Sequence, residues 1–431
     1  MPGPLPRHLL PDNASIGADG WLALGGCSAR DLVQEHGTPL FVYDEEQLRA
    51  RCREAVSAFP DGAAYATKAF LCRAMARIAH EEGMTLDVAT GGELHVALSA
   101  GVPADRLVLH GNNKSEAELR RALDVGVGRI VVDSTDELDR LEALVAGRGA
   151  APRPKVVLRI TPGVEAHTHE FIRTGQIDSK FGFGVGAGRD GVSAAESGLA
   201  RAAASEHLEL VGIHVHIGSQ VFVADFFHQA IEVLAPFVNR YDLPELVLGG
   251  GLGVAYVEGE SAPTIAEWGA SVLDACKAAG ITAKVSAEPG RAIVAAAAVT
   301  LYTVGTIKEL PGIRTYVAVD GGMSDNPRPV LYGSGYETFL PRAVDAERPR
   351  IVTVVGKHCE SGDLLVRDAA VPADLAVGDI LATPVTGAYG HSMGSNYNKV
   401  PRPAVVFCRD GDARLVVRRE TDDDLLLTDL G

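Results

Sequence analysis

The fold is decided by residues 245–289, which contain ELVLGGGLG (245–253), IAEWGASVLDACKAA (265–279) and AKVSAEP (283–289). The first and third segments are short runs rich in apolar residues, which predict buried strands. The second segment has apolar residues at helical spacing and predicts an amphipathic helix. A strand, a helix and another strand in this order are typical of a parallel sheet.

The same alternation repeats upstream of residue 245. Eight candidate strands can be counted in all, namely Ala63–Thr67, Leu86–Thr90, Leu107–Gly111, Arg129–Ser134, Lys155–Ile160, Leu208–Gly218, Glu245–Gly250 and Ala283–Pro289. Seven of the intervals hold, or have room for, a helix, such as Phe70–Glu82, Ser115–Val125, Thr135–Ala146 and Ile265–Ala279. Eight strands in strict alternation predict a parallel sheet closed into a (β/α)8 barrel rather than an open sheet.

After Arg291 the pattern changes to strands with hardly any helical spacing between them. The strand-like segments are Val299–Ile307, Thr315–Asp320, Ile351–Val355, Asp363–Arg367 and Ala404–Arg419, with turns such as Asp410-Gly411-Asp412. They predict a second, mostly antiparallel β-domain. Trp21–Leu24 and Leu40–Tyr43 are strand-like as well, and we expect them to pack with it. The predicted organisation is therefore a barrel over residues 46–291 and a β-domain built from residues 1–45 and 292–431.

Composition and charge restrict the possible partners. The chain has 46% hydrophobic and 22% charged residues, and 40 Lys and Arg against 56 Asp and Glu give a formal charge of −16. Such an acidic chain repels phosphate backbones and anionic membranes, so neither nucleic acid nor a membrane is the expected partner. The opening MPGPLPRHLLPDNAS lacks the features of a signal peptide, and no apolar run is long enough to span a bilayer. We therefore expect a cytoplasmic protein. Its six scattered cysteines indicate neither a disulfide framework nor a thiolate zinc site.

A barrel of this kind carries its chemistry at the carboxyl ends of its strands. The polar or glycine-rich residues at predicted strand ends are Lys68, Asp87, Glu93, His214, His216, Gly249–Gly253 and Glu288–Arg291. The glycine run could hold a phosphate on its backbone N–H groups, or it could be a plain turn. It is not a dinucleotide-binding fingerprint, because residue 256 is Tyr where a third glycine would be needed.

Lys68 and the histidines each have two possible roles. Most lysines are solvated surface charges, but an inward lysine in an apolar context can attack the carbonyl of an aldehyde cofactor. His214 and His216 share one face of a strand and could be metal ligands, although no further ligand is suggested nearby. His167 and His169 lie in a loop that the sequence cannot place. Stacking on an aromatic cofactor is the better use of His216, and no metal site is predicted.

Taken together and in this order, the motifs resemble the fold-type III pyridoxal-phosphate decarboxylases over nearly the whole chain. The resemblance rests on Tyr65–Lys68, Asp87–Leu94, Gly111–Ser115, His214–Gln220, Gly249–Gly253, Glu288–Arg291, Asp325–Tyr332, Cys359–Asp363 and Gly387–Tyr389. One departure follows the last motif, where this chain reads Gly390-His391 and the family commonly has another pair. That difference could alter the pocket.

The resemblance implies pyridoxal 5'-phosphate as cofactor and assigns a role to each matching residue. Lys68 would bind the cofactor covalently, His216 would stack on its ring and Glu288 would pair with the ring nitrogen. The other implied cofactor contacts are Asp87, Ser219, Gly250, Gly251, Pro289, Gly290, Arg291 and Tyr389. The implied substrate contacts are Arg291, Arg328, Tyr332, Glu360 and Tyr389. Cys359 would donate a proton, and the family's homodimer would bring Cys359 and Glu360 to the partner's Lys68.

The implied activity is decarboxylation of meso-2,6-diaminopimelate to L-lysine. A carboxylate at the ring nitrogen favours decarboxylation over racemisation, because it keeps that nitrogen protonated. Arg291 and Arg328 can clamp a distal carboxylate, and Glu360 can take a distal ammonium. Two alternatives stay open: a decarboxylase of ornithine, arginine or a carboxylated polyamine, and a non-catalytic relative that binds the cofactor.

Overall fold

The structure is a computed structural model that describes residues 3–149, 152–164, 175–176, 178–189 and 191–431. His167 and His169 lie outside the described residues. The chain divides into two compact units. The barrel unit comprises residues 51–253 and 262–290, and the β-unit comprises residues 1–50, 254–261 and 291–431. The sequence placed these boundaries at residues 46 and 291 and did not separate residues 254–261. Among the described helices, none has the length and apolar character needed to cross a bilayer.

The strands are numbered in chain order through both units. They are β1 Ser15–Ile16, β2 Leu22–Leu24, β3 Cys27–Ser28, β4 Leu40–Asp44, β5 Ala64–Ala66, β6 Thr85–Val88, β7 Leu107–Leu109, β8 Arg129–Val132, β9 Lys155–Thr161, β10 Phe183–Gly184, β11 Glu209–Val215, β12 Glu245–Leu248, β13 Lys284–Ala287, β14 Ala298–Leu310, β15 Arg314–Val319, β16 Arg350–Val355, β17 Leu364–Val371, β18 Ile380–Pro384, β19 Ala404–Arg409 and β20 Asp412–Val417.

The α-helices are numbered in the same way. They are α1 Ala29–His36, α2 Glu45–Ala58, α3 Arg73–Glu81, α4 Gly91–Ser99, α5 Glu116–Val125, α6 Thr135–Ala146, α7 Ala194–Ala204, α8 Asp225–Arg240, α9 Ile265–Ala278, α10 Arg291–Val294 and α11 Arg328–Tyr332.

The barrel unit is a parallel sheet in the order β13-β12-β11-β9-β8-β7-β6-β5, with the short β10 beside β9. A parallel bridge between Ala63 and Ala287 and a hydrogen bond from Ala66 N to Pro289 O (3.2 Å) join its two edges. All eight predicted strands are present, so the predicted (β/α)8 barrel is confirmed. Five neighbouring strands each contribute one buried valine to a single cluster, namely Val108, Val131, Val157, Val211 and Val247.

The helices of the barrel begin at residues that cap them. Ser115, Ser193 and Thr264 each accept a hydrogen bond from the backbone N–H three residues later, and a glutamate at that position bonds back. These reciprocal caps fix where α5, α7 and α9 begin. The predicted helix Thr135–Ala146 has those bounds as α6, and the predicted helix Ile265–Ala279 ends one residue earlier.

The β-unit is built on β14, which pairs antiparallel with β4, β15 and β18 along its 13 residues. The sheet runs in the order β17-β16-β15-β14-β4-β19-β20. Two of its pairs, β4 with β19 and β15 with β16, are parallel and the others are antiparallel. The predicted, mostly antiparallel sheet is confirmed, as is the packing of Leu40–Tyr43 with it. The run Ala404–Arg419 forms the hairpin of β19 and β20, with the predicted turn at Asp410 and Gly411.

Candidate active site

The polar residues at the carboxyl ends of the barrel strands converge on Glu288, which directly follows β13. Its side chain is buried, with 4% of its surface exposed. His110 Nε2 lies 3.0 Å from one carboxylate oxygen of Glu288, and His214 Nε2 lies 3.0 Å from the other. His110 follows β7 and His214 lies on β11, and their rings are 5.0 Å apart. Both oxygens of one buried carboxylate are therefore held by imidazole nitrogens.

These contacts keep Glu288 ionised. Burial alone would raise the pKa of its carboxyl. The positive charge of His110 and the hydrogen bonds from His110 and His214 nevertheless hold that pKa well below its usual value. Burial lowers the pKa of His214 to about 4. Burial would also lower the pKa of His110, but the carboxylates of Asp87 and Glu288 raise it above its usual value.

Asp87, at the end of β6, is the second buried carboxylate of this group. Its Oδ1 lies 3.7 Å from His110 Nε2. Burial raises the pKa of Asp87 to about 6, and the charge of His110 limits that rise. The hydroxyl of Thr67 donates to the carbonyl of Asp87 (2.7 Å), which ties the end of β5 to the end of β6.

Lys68 and His216 lie beside this group. Lys68 is exposed between the buried residues Thr67 and Ala69. Its charge stabilises the ionised form of Asp87 and the neutral form of His216. Burial is the largest cause of the low pKa of His216, and Lys68 is the next. His216 is therefore a neutral ring, which can stack on a pyridine without placing another positive charge beside it.

The glycine run after β12 passes close to other backbone. A Cβ at Gly250 would lie 2.4 Å from Glu288 O, and one at Gly251 would lie 2.4 Å from Gly218 O. Gly251 also has a φ of +114°, which side-chain residues rarely adopt. A Cβ at Gly290 would lie 2.9 Å from Ala66 O, so the turn after Pro289 is equally tight. Ser219 is half-buried one residue after Gly218. Only glycine fits this cradle, and closely spaced backbone N–H groups in such a turn suit a phosphate.

The β-unit contains a separate cluster of arginine and tyrosine. Arg328 begins α11 and is 4% exposed, and its guanidinium lies 3.9 Å from the ring centre of Tyr256. Arg328 Nη1 donates to the hydroxyl of Tyr336. Arg291 Nη1 donates to the hydroxyl of Tyr256 (2.6 Å), and the Arg291 guanidinium lies 4.7 Å from the ring centre of Tyr389. We call these five residues the arginine–tyrosine cluster.

No carboxylate pairs with Arg328 among the described residues. Its Nη2 donates to Ser334 Oγ (3.2 Å), and its Nε is buried with no hydrogen-bond partner in the same part of the chain. Burying a charge is costly unless an opposite charge answers it. Arg328 is thus suited to bind the carboxylate of a ligand.

The other predicted site residues of the β-unit are more exposed. Cys359 is exposed on the turn between β16 and β17, whereas the other five cysteines are buried. Its backbone N–H donates to Asn398 Oδ1 (2.9 Å). Glu360 is exposed beside it, with its Oε1 3.2 Å from Gly362 N. Tyr332 is half-buried at the end of α11, and Tyr336 supplies the contact with Arg328. His391, in the departure from the family pattern, packs edge-on against Phe41 (5.8 Å).

The sequence does not predict the roles of four residues in these groups. His110 is not among the predicted strand-end residues, and His214 is predicted at a strand end but without its contact with Glu288. The ligand atoms of His110, His214 and Glu288 lie within 4.8 Å of one another, a spacing that their hydrogen bonds already explain. Tyr256 was noted only because it breaks a glycine pattern, and Tyr336 was not noted. His110 could have been found, because it lies near the carboxyl end of the predicted barrel strand Leu107–Gly111.

A closed parallel barrel with a lysine, a buried carboxylate and a glycine cradle at its strand ends defines a cofactor-binding barrel of the fold-type III class. The family model for the pyridoxal-binding domain of pyridoxal-dependent decarboxylases matches residues 45–295. The chain belongs to this family.

Relatives within the family are named diaminopimelate decarboxylases. The chain is 48% identical to that of Mycobacterium tuberculosis, over 98% of both chains, and 45% identical to that of Bacillus subtilis, over 95% of both. Among solved structures, the diaminopimelate decarboxylase of M. jannaschii in complex with L-lysine superposes with a TM-score of 0.88 and 31% identity, over 98% of both chains.

Proposed function

We propose that this protein decarboxylates meso-2,6-diaminopimelate to L-lysine and carbon dioxide with the help of pyridoxal 5'-phosphate. The observation that carries the proposal is the ionised Glu288 at the centre of the barrel's polar group. The names of the relatives favour this substrate. Arg328 also favours meso-diaminopimelate as substrate. Its positive charge has no carboxylate partner among the described residues, and a substrate with a second carboxylate can neutralise it.

The residues present fit the cofactor. Lys68 offers an exposed amine, His216 a neutral ring, Glu288 an ionised carboxylate, and Gly250 and Gly251 a cradle that a side chain would fill. When bound, pyridoxal phosphate supplies the electron sink that stabilises the charge left on the substrate carbon after carbon dioxide departs. Ser219, Pro289, Gly290 and Tyr389 would complete its contacts, and Asp87 would lie near Lys68.

The side chains of the protein would have separate roles in the reaction. Glu288 would hold a proton at the ring nitrogen of the bound cofactor, because its low pKa keeps it available as an acceptor. Arg328 and Arg291 orient a substrate carboxylate through fixed N–H groups, with Tyr332 nearby in the chain. Glu360 would accept the distal ammonium. Cys359 would deliver the proton that replaces the lost carboxylate.

We further propose that two copies of the chain share their sites. The supporting observation is that Cys359 is an exposed thiol on a turn of the β-unit, while Lys68 belongs to the barrel unit. A homodimer would allow Cys359 and Glu360 to serve Lys68 of the other copy.

The function is tested by measuring carbon dioxide released from a panel of amino acids. We expect turnover of meso-diaminopimelate, and little of ornithine, arginine or carboxylated polyamines. Preference for a substrate without a distal carboxylate would overturn the substrate proposal. Absence of turnover with the whole panel would favour a non-catalytic relative. Borohydride reduction followed by peptide mapping should place the cofactor on Lys68, and a label on another lysine would contradict that assignment.

Shared sites are tested by mixing two inactive variants, Lys68→Ala and Cys359→Ala. With random exchange half the dimers are mixed, and each has one intact site in two. About a quarter of the wild-type activity should therefore return. If each site lay within one copy, every site would carry a lesion. No recovery, once exchange is confirmed by mass spectrometry, would rule out sharing.

A further inference from the structure

The two histidines that hold Glu288 are not equivalent. His214 Nδ1 is buried and has no hydrogen-bond partner among the described residues, while its Nε2 faces Glu288. A protonated His214 would bury an unanswered N–H, which costs more than the added charge gains so close to a second histidine. His214 is therefore a neutral ring whose single proton, on Nε2, points at Glu288.

His110 lies between two carboxylates instead of one. Its Nε2 is 3.0 Å from Glu288 Oε1 and 3.7 Å from Asp87 Oδ1. All three groups are buried, and two carboxylates in one buried site cannot both be ionised at low cost unless a positive charge separates them. The histidine that carries a positive charge is thus His110, and its raised pKa agrees with this.

The backbone holds His110 in place independently of the cofactor. Its N–H donates to Val88 O (2.8 Å), which continues the β6–β7 pairing beyond β7. The next carbonyl, that of Gly111, accepts from Lys114 Nζ (2.7 Å), and the same buried amine bonds Glu137 (2.7 Å). A side chain on such a framework keeps its distance to Glu288 without help from a ligand.

We propose that His110 is a positioning residue that, as a positively charged imidazolium between Asp87 and Glu288, keeps both carboxylates ionised, while His214 serves as a fixed neutral donor. This rests on the proposed function only in taking Glu288 as the partner of the cofactor's ring nitrogen. The charged and titratable groups that act on these four residues are Lys68, Glu93, Lys114, Arg159 and His216.

The direct test is infrared spectroscopy of the full-length protein loaded with pyridoxal phosphate at pH 7. The readout is the carbonyl stretch of a neutral carboxyl group in difference spectra against wild type. We expect His110→Phe to add one such band, because one of the two carboxylates must then take up a proton. We expect His110→Gln to add the same band, because glutamine supplies a hydrogen bond but no charge. Asp325, whose pKa burial raises to about 7, contributes equally to all samples and cancels.

Three further variants identify which residue gives rise to the new carboxyl band. The double variant His110→Phe with Asp87→Asn should lose the new band, because Asp87 is the group that takes up the proton. His214→Gln should add no band, because a neutral donor replaces a neutral donor. His228→Gln alters another half-buried histidine of the barrel unit, one that bonds Ser271 Oγ, and should leave the spectrum unchanged. Circular dichroism verifies that each variant is folded.

A second readout is the absorbance of the bound cofactor against pH. In His110→Gln its acid transition should move to higher pH by about one unit, the scale of one lost neighbouring charge. The proposal is overturned if His110→Gln adds no neutral carboxyl band and leaves this transition in place. Since neither measurement needs turnover, an inactive wild-type protein would contradict the proposed function while leaving this test intact.

Discussion

The barrel unit and the β-unit bury charge in opposite ways. In the barrel unit, Glu288 is a buried anion, and each of its two carboxylate oxygens is hydrogen-bonded to an imidazole of the same chain. In the β-unit, Arg328 is a buried cation surrounded by phenols and a hydroxyl, with no carboxylate partner among the described residues. The charge of Glu288 has partners within the chain, whereas the charge of Arg328 has no opposite charge beside it among the described residues. We infer that the barrel group tunes chemistry and that the arginine–tyrosine cluster selects the substrate.

The largest effect is expected from a substitution that removes the charge of Glu288. Glu288→Gln should lower kcat by about 100-fold, or about 2.7 kcal/mol, with little change in KM, because a neutral amide no longer holds a proton at the ring nitrogen. Steady-state kinetics on meso-diaminopimelate measure both constants. A raised KM at constant kcat would make Glu288 a substrate contact and would break the comparison.

Arg328→Lys tests the other side of the comparison. Lysine keeps the positive charge but cannot present two parallel N–H groups to a carboxylate, so KM should rise by about 30-fold while kcat changes only a few-fold. Arg342→Lys is the matched control, since Arg342 pairs with Asp374 and Asp379 in the same unit. Equal effects of the two substitutions on KM would mean that Arg328 is structural.

The dependence of kcat on pH in the acid range should reflect the ionisation of the buried carboxylates of the barrel unit. Asp87, with a pKa of about 6, is ionised above that pH and neutral below it. We expect kcat to fall as the pH drops through about 6, reaching about one tenth of its plateau at pH 5. Asp87→Asn should remove this transition, whereas Asp320→Asn, in the β-unit, should not. A kcat that stays constant down to pH 5 would mean that the ionisation of Asp87 does not contribute to turnover.

The smallest effect is expected at Tyr256. Tyr256→Phe removes the hydroxyl that accepts from Arg291 but keeps the ring on which Arg328 stacks. KM should rise only about three-fold, on the scale of one hydrogen bond. Tyr256→Leu, which also removes the ring, should raise KM further. If the two variants behaved alike, the stacking of Arg328 would contribute nothing measurable.

The sequence predicts the barrel well because its signal is local. Each barrel strand is a short apolar run, and each helix between them has its own spacing and often its own cap, as at Ser115 and Thr264. The turn that divides Ala404–Arg419 into a hairpin is local as well, because Asp410, Gly411 and Asp412 are typical turn residues.

The site is predicted unevenly for the same reason. Lys68, Asp87, His216 and Glu288 stand out because they end predicted strands or belong to recognisable motifs. The pairing of His110 with Glu288 joins residues 178 positions apart, and no local pattern encodes it. The contact of Tyr256 with Arg328 depends on where residues 254–261 settle after leaving the barrel, and the sequence does not state this.

The position of β4 has a consequence for the order in which the protein forms during synthesis. This strand comes from residues 40–44 and pairs with β14 on one side and β19 on the other. Its neighbours are therefore made more than 250 residues after it, while the barrel strands, apart from the contact of the β5 and β13 edges that closes the barrel, pair with segments made shortly before or after them. Because long-range pairing must wait for the whole chain, we expect the barrel to form on the ribosome first and β4 to remain an unpaired edge until the last strands emerge. Charged residues that follow β4, Glu45 and Glu46, would help to keep that edge soluble in the meantime.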